Sequence, residues 1–453
     1  MAARAMPATG IDGRRASVTH SLLSMFDNGG VFATLIIGYF WLCTYLYTDI
    51  IGNVGPLRQS GFEAFPTSGF AKILAIGFCV FPLLWVRRNF KAPSDVIVFQ
   101  LYLYVYVPTT AYLVMATPMT LTKQLGFLTM TMLAFALLEL RRVLRTVELY
   151  KFPMKENWFI GSLTVSSIAL ALLFVSVGDA TLDSLDLGTV YERRADIVGE
   201  GRGAFLVFAA NWSAMAIAPL TMLYGLLRRQ WWILGIGLIL AVTCYAVTSF
   251  RSHLFTPIFA VMVCMVLRTA GPRRSGIALL AVALSVCLLP LFYDLATGGL
   301  ATWVIHFRFI GNNGFLSAQY FAFFADAPKG FYQDSFGRFF VTPQYFLPIA
   351  ELVGSSFSSV AGNHANGNLW ADGFGNMGVM GVGFASLSAV LLCWLVDSLG
   401  RDLDRIQTSV LLIPLTFAIS NTSVHSALIS SGGLLAILLL FFMPQSSVRF
   451  GEH

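Results

Sequence analysis

The sequence predicts an all-α, polytopic membrane protein, and three observations predict it. Apolar residues make up 57% of the 453 and charged residues only 11%, against about 45–50% and about 25% in soluble domains. Runs of about 20 residues with few or no charges recur, enough helix to cross about 30 Å of hydrocarbon, and mean hydropathy is +0.73. Short basic clusters separate the runs, as in the cytoplasmic loops of membrane proteins. A lone strand cannot satisfy its backbone groups in lipid, so the runs are read as helices.

About 12 transmembrane helices are expected, nine of them early: 30–51, 69–86, 95–115, 124–140, 158–178, 204–226, 231–250, 254–267 and 277–293. The last three are 376–397, 408–420 and 424–443, with Asn421, Thr422, Ser423 and His425 interrupting the apolar run between the final two. Arg4, Arg14 and Arg15 precede the first run. That run is too long for a signal peptide, so it is expected to stay in the membrane.

Basic residues set the expected orientation. Arg87, Arg88 and Lys91 follow span two; Arg141, Arg142, Arg145, Lys151 and Lys155 follow span four. Arg228 and Arg229 follow span six, Arg268, Arg273 and Arg274 span eight, and Arg401 and Arg405 span ten. All these loops fall on the side of the N-terminus, which makes that side cytoplasmic and both termini internal. Two outward segments remain, 179–203 and 294–375. The second exceeds what a connection needs, so it is functional or carries helices of its own. No repeat divides the chain, and 1–453 reads as a single membrane domain.

Several classes are excluded. The net charge of +6 sits in the loops, without a basic stripe interleaved with aromatics, which argues against nucleic acid. Cys43, Cys79, Cys244, Cys264, Cys287 and Cys393 lie inside apolar runs without CxxC spacing, so neither a disulfide framework nor a metal site is expected. Asp402 and Asp404 spell the DxD of metal-dependent glycosyltransferases, but in a short loop between Arg401 and Arg405, which are expected to pair with them. Asn421-Thr422-Ser423 fits a glycosylation acceptor that a bacterial inner membrane would leave unused.

Two constellations could carry chemistry. The outward arginines, Arg193, Arg194, Arg202, Arg251, Arg308 and Arg338, lie on the side that ordinarily avoids basic residues. A guanidinium is a permanently charged planar fork that matches phosphate oxygens. Arg193, Arg194, Arg251 and Arg308 are the candidates for a diphosphate. Each taken alone could simply snorkel to the headgroups. The second constellation runs from Asn363 to Gly381, NHANGNLWADGFGNMGVMG. It offers His364 as a base with Asp372 in reserve, Asn366, Asn368 and Trp370 for a sugar, and glycines 375, 378 and 381 for close approach.

That string, HxNxxLWAD followed by GNMGVMG entering a late span, resembles the signature of bacterial Wzy-type oligosaccharide repeat-unit polymerases, which are related to O-antigen ligases. The resemblance covers the architecture of nearly the whole chain, and Ala365 departs from the ligase form. It implies a GT-C-like membrane enzyme in the bacterial inner membrane, with a large periplasmic loop before a late transmembrane helix. The implied reaction polymerises undecaprenyl-diphosphate-linked oligosaccharide without metal or cofactor and with inversion. The arginines would hold the diphosphate and His364 would act on the acceptor hydroxyl. The lipid bilayer and a chain-length regulator would be its partners.

A ligase differs only in acceptor. A flippase for the same lipid-linked glycan is the rival from another class, although transporters favour midplane ionisable groups and paired discontinuous helices. A structural role would leave the arginines unexplained.

Overall fold

The computed structural model describes residues 29–52, 61–177, 203–358 and 363–445, and all secondary structure among them is helical. In chain order the helices begin α1 (Gly29–Ile51), α2 (Gly69–Leu84), α3 (94–112), α4 (Leu121–Arg142) and α5 (Glu156–Val177). Next come α6 (Phe205–Leu227), α7 (Trp231–Thr248), α8 (Arg251–Ala270), α9 (Pro272–Thr297) and α10 (303–326). The last five are α11 (Ile349–Phe357), α12 (Leu369–Gly400), α13 (Arg405–Ile419), α14 (Val424–Ser430) and α15 (Gly433–Phe442).

Eight of them, α1, α4 to α9 and α12, are long and apolar enough to span a membrane; α14 and α15, bent by 70°, would make a ninth. The expected twelve are therefore matched by eight, or by nine with the bent pair. The remaining expected spans correspond to α2 and α13, which are short apolar helices, and to α3.

Helix α3 is buried on every side, as are its flanking residues from 93 to 117. Its tyrosines satisfy their hydroxyls on neighbouring backbone: Tyr102 donates to Cys79 O at 2.9 Å and Tyr106 to Phe78 O at 2.8 Å. The stretch Tyr102–Tyr106 is π-helical and runs into Pro108. Proline removes a donor and crowds the carbonyl four residues back, and a π turn relieves both. The carbonyls of this turn are taken up by Tyr39 Oη on Leu103 O (2.9 Å) and Asn313 Nδ2 on Tyr104 O (2.9 Å). Pro219 follows a second π turn, Ser213–Ile217, in the same way.

Segment 294–375 is not an open loop. Its first half forms α10, whose 313–321 face is buried. A Cβ on Gly314 would lie 2.4 Å from the backbone of Pro108, so only glycine lets α10 approach α3 this closely.

At the end bearing the basic clusters, a buried network joins α3, α4 and α12. Arg141 Nη2 meets Asp95 Oδ1 at 2.6 Å, both side chains almost fully buried. Arg141 also donates to Ser94, whose hydroxyl donates to Asp397 Oδ2 at 2.6 Å and whose N–H donates to Oδ1 at 2.8 Å. In the DxD loop, Asp404 caps α13 by accepting from Ile406 N and Gln407 N. Arg405 donates to Ser275 Oγ and Leu267 O, and Arg401 lies 3.7 Å from Glu148. The flanking arginines are thus engaged elsewhere, correcting the expected pairing. All six cysteines are buried.

Candidate functional site

Helix α12 is broken near its start. Met377 (φ −140°) and Gly378 (φ 61°, ψ −142°) leave helical geometry, so residues 369–376 form a separate short helix ahead of the spanning part. Only glycine adopts the Gly378 conformation without penalty. The two pieces touch at glycines: a Cβ on Gly381 would fall 1.9 Å from Gly373 O. Of the three glycines expected to permit close approach, Gly381 meets Gly373, Gly375 lies under the rings of Tyr320 and Phe324, and Gly378 supplies the break.

A helix that stops inside a protein leaves carbonyls without partners. Here the segment after α10 supplies them: Gly330 N–H donates to Gly375 O and Phe331 N–H to Asn376 O, both at 3.0 Å. Asn376 Oδ1 accepts from Tyr332 N–H at 2.7 Å, and Asn376 Nδ2 donates to Asp372 O at 2.9 Å. Phe331 and Tyr332 have φ of 49° and 57°, left-handed values that bulky residues seldom adopt.

Between this junction and the turn before α14 lies a cavity of about 160 Å³. It is lined by Tyr320 of α10, Asn366, Gly367, Asp372 and Asn376 at and before the start of α12, Tyr332, Asp334 and Ser335 from the strained segment, and residues of the 421–426 turn, His425 among them. That volume is well below the roughly 300–1,000 Å³ of drug-sized pockets, and suits one ring or headgroup. Beside the aliphatic Ile349 and Ala350, its lining is mostly amide, hydroxyl, carboxylate and aromatic, the groups that recognise hydroxyl-rich ligands.

Asp372 is half-buried, and its Oδ2 is shielded from solvent with no hydrogen-bond donor among the described residues. A buried carboxylate oxygen is ordinarily satisfied, so this one is available to a ligand hydroxyl. His425 accepts or donates at Ser423 Oγ, 3.1 Å from Nε2, and its ring packs edge-on against Tyr332 (5.4 Å) and Phe336 (5.2 Å). Lys329 donates to Phe324 O and lies 4.5 Å above the Phe374 ring; burial lowers its pKa.

The expected site residues divide. Asp372 and Asn366 line the cavity. His364 is exposed and does not. Asn368 and Trp370, expected to hold a sugar, are buried in packing roles instead. Asn368 caps α12, accepting from Trp370 N–H (3.0 Å) and Ala371 N–H (3.1 Å), and donates to Ser317 Oγ at 2.6 Å. Trp370 Nε1 donates to Ser386 Oγ at 3.0 Å. Arg251 is half-buried at the head of α8, and Arg308 is exposed with its guanidinium 5.2 Å from the Trp303 ring. Neither lines the cavity. Arg193 and Arg194, with most of 179–203, lie outside the described residues. Among the lining residues that sequence reasoning did not assign are Tyr332, Asn376, Asn421 and His425; the polar interruption at 421–425 was the signal for the last two.

Among the described residues, no three His, Cys, Asp or Glu side chains gather as a metal site. Comparison with protein-family models, with curated proteins and with solved structures finds no match for this chain.

Proposed function

We propose that the chain is an integral-membrane glycosyltransferase that polymerises lipid-linked oligosaccharide repeat units, with the cavity beside Asp372 as its reacting site. The observation that carries this reading is the Asp372 oxygen left without a donor in a small polar cavity at the mouth of a membrane helix. In the reaction, an acceptor hydroxyl oxygen forms a bond to the anomeric carbon while the bond from that carbon to the diphosphate breaks. The lipid diphosphate leaves with the electron pair, and the hydroxyl proton passes to Asp372. The configuration inverts because there is one displacement. His425 orients the acceptor, and Asn366, Asn376 and Asn421 read its hydroxyls. Arg251 and Arg308, with Arg193 and Arg194, neutralise the diphosphate as fixed cations.

A second reading is favoured by one specific observation. The break in α12 and the 70° bend between α14 and α15 are two discontinuous helices near one cavity, an arrangement that transporters use. Purified protein in lipid nanodiscs, given an undecaprenyl-diphosphate-linked repeat unit, separates the two. A glycan ladder supports the polymerase, a single transfer to a lipid core makes it a ligase, and translocation without new bonds makes it a flippase.

A further inference from the structure

The segment that stitches the break in α12 carries a second feature which the cavity does not use. Phe331, Phe336, Phe339, Phe340 and Phe346 are all exposed, Phe340 by 82%. Exposed aromatic clusters of this kind mark an interaction surface. They are not on a loosely held strand of chain. Gln333 binds the segment internally with both ends of its amide: Oε1 accepts from Gln344 N–H (2.9 Å) and Tyr345 N–H (3.1 Å), and Nε2 donates to Tyr345 O (2.9 Å). Asp334 Oδ2 accepts from Ile349 N–H at 2.5 Å, and Tyr345 Oη donates to Pro328 O at 2.6 Å. The backbone is fixed and the phenylalanines are presented outward.

What they face follows from continuity with α12. Beyond its break this helix exposes Met380, Phe384, Leu387 and Leu391, at spacings of four, three and four, one apolar face of a candidate membrane span. Phe384, one turn after Met380 on that face, meets the Tyr332 ring at 6.1 Å, and Tyr332 stacks on Phe336 at 4.9 Å. The exposed phenylalanines therefore continue the surface that α12 turns toward lipid. Arg338 lies among them with its guanidinium 4.9 Å from the Phe339 ring. Phenylalanine beside a basic residue is the pattern of segments lying in the interface, the rings reaching the acyl boundary and the cation the phosphates.

We propose that residues 331–347 are seated in the bilayer interface, with Phe339, Phe340 and Phe346 inserted in lipid, and that this seating sets the depth of the neighbouring cavity. Tyr332 touches both the lipid-side ring of Phe384 and the cavity-lining His425, and Phe336 packs on Tyr332 and His425, so one layer of aromatic rings separates lipid from cavity. A ligand anchored in that leaflet would meet the cavity at its own headgroup level. The seating does not depend on which reaction the cavity performs.

The six native cysteines are buried, so a single introduced thiol can be labelled selectively. Phe340→Cys carries an environment-sensitive fluorophore in nanodiscs of phosphatidylethanolamine and phosphatidylglycerol, with Glu148→Cys, at a side chain 90% exposed, as the aqueous reference. Quenching by lipids bearing a nitroxide near the glycerol should be several-fold stronger at 340 than at 148, and quenching by iodide several-fold weaker. Iodide quenching equal to that at 148 would overturn the proposal. So would protection from both quenchers, which would indicate a protein partner or a second copy. Phe346→Cys gives the same reading should the 340 variant not fold. Glycan assembly is not measured, so the outcome stands apart from the fate of the polymerase reading.

Discussion

The side-chain carbonyl of Asn376 accepts the backbone N–H of Tyr332 at 2.7 Å, and this bond joins two segments that each depart from ordinary geometry. Strained backbone costs about 1–3 kcal/mol per residue and persists where its surroundings over-determine it. Asn376→Ala removes the acceptor and leaves a donor to be resolvated. It should lower stability by about 1–3 kcal/mol, read as a lower melting temperature in detergent, and should also loosen the cavity wall.

Asp372→Asn keeps the size of the side chain and removes its basicity. Ladder formation by purified protein should fall by about two to four orders of magnitude, the usual contribution of a general base, with the melting temperature retained. A full-rate ladder from this variant would remove Asp372 from the reaction.

His364 and His425 can be separated by one pair of substitutions. His425→Gln, at the cavity, should slow polymer formation by roughly tenfold or more, toward the about 100-fold lower end of acid–base effects. His364→Gln, at an exposed position, should leave it near normal. The reverse ranking would return the base to His364.

Alanine at Arg251 should weaken binding of the lipid diphosphate by about 1.5–3 kcal/mol, the range for hydrogen bonds to charged groups. Lysine should restore only part, because an ammonium lacks the paired donors of a guanidinium. Unchanged affinity in folded protein would leave Arg251 with a packing role at the head of α8.

A phosphatase reporter inserted at 338–346 should be active and one at 146–152 inactive, since the basic loops assign the first outside and the second inside. Activity at 146–152 would invert the assignment and make the arginines on the other face the unusual ones.

Most helix positions were legible because apolar runs bounded by charge are strong signals, and the eight spanning helices all fall on such runs. The status of α3 was not. Its run of Val, Ile, Leu and Tyr has the length of a span, yet nothing local reveals that α10 and α1 cover it. At the site, Asp372 and Asn366 were legible as polar residues at the mouth of a span. Asn368, expected to hold a sugar, instead caps α12, a part asparagine commonly plays immediately before a helix start. Tyr332 was not readable at all, because its place depends on a hydrogen bond to a residue forty-four positions away. Arg141 looked like one more positive-inside residue, whereas Asp95 neutralises it within the bundle.

Helix α3 also constrains how the molecule is made. A helix with no face toward lipid, carrying Ser94, Asp95, Gln100 and Thr109 among its buried residues, is poorly suited to wait in a bilayer as an independent span. Its covering partner α10 is synthesised only after α4 to α9. During translation α3 must therefore be sheltered by α1 and α2, or by the insertion machinery, until α10 arrives. Nascent chains ending before α10 should be recognised by quality control as unfinished, and maturation of the bundle becomes a late, cooperative event.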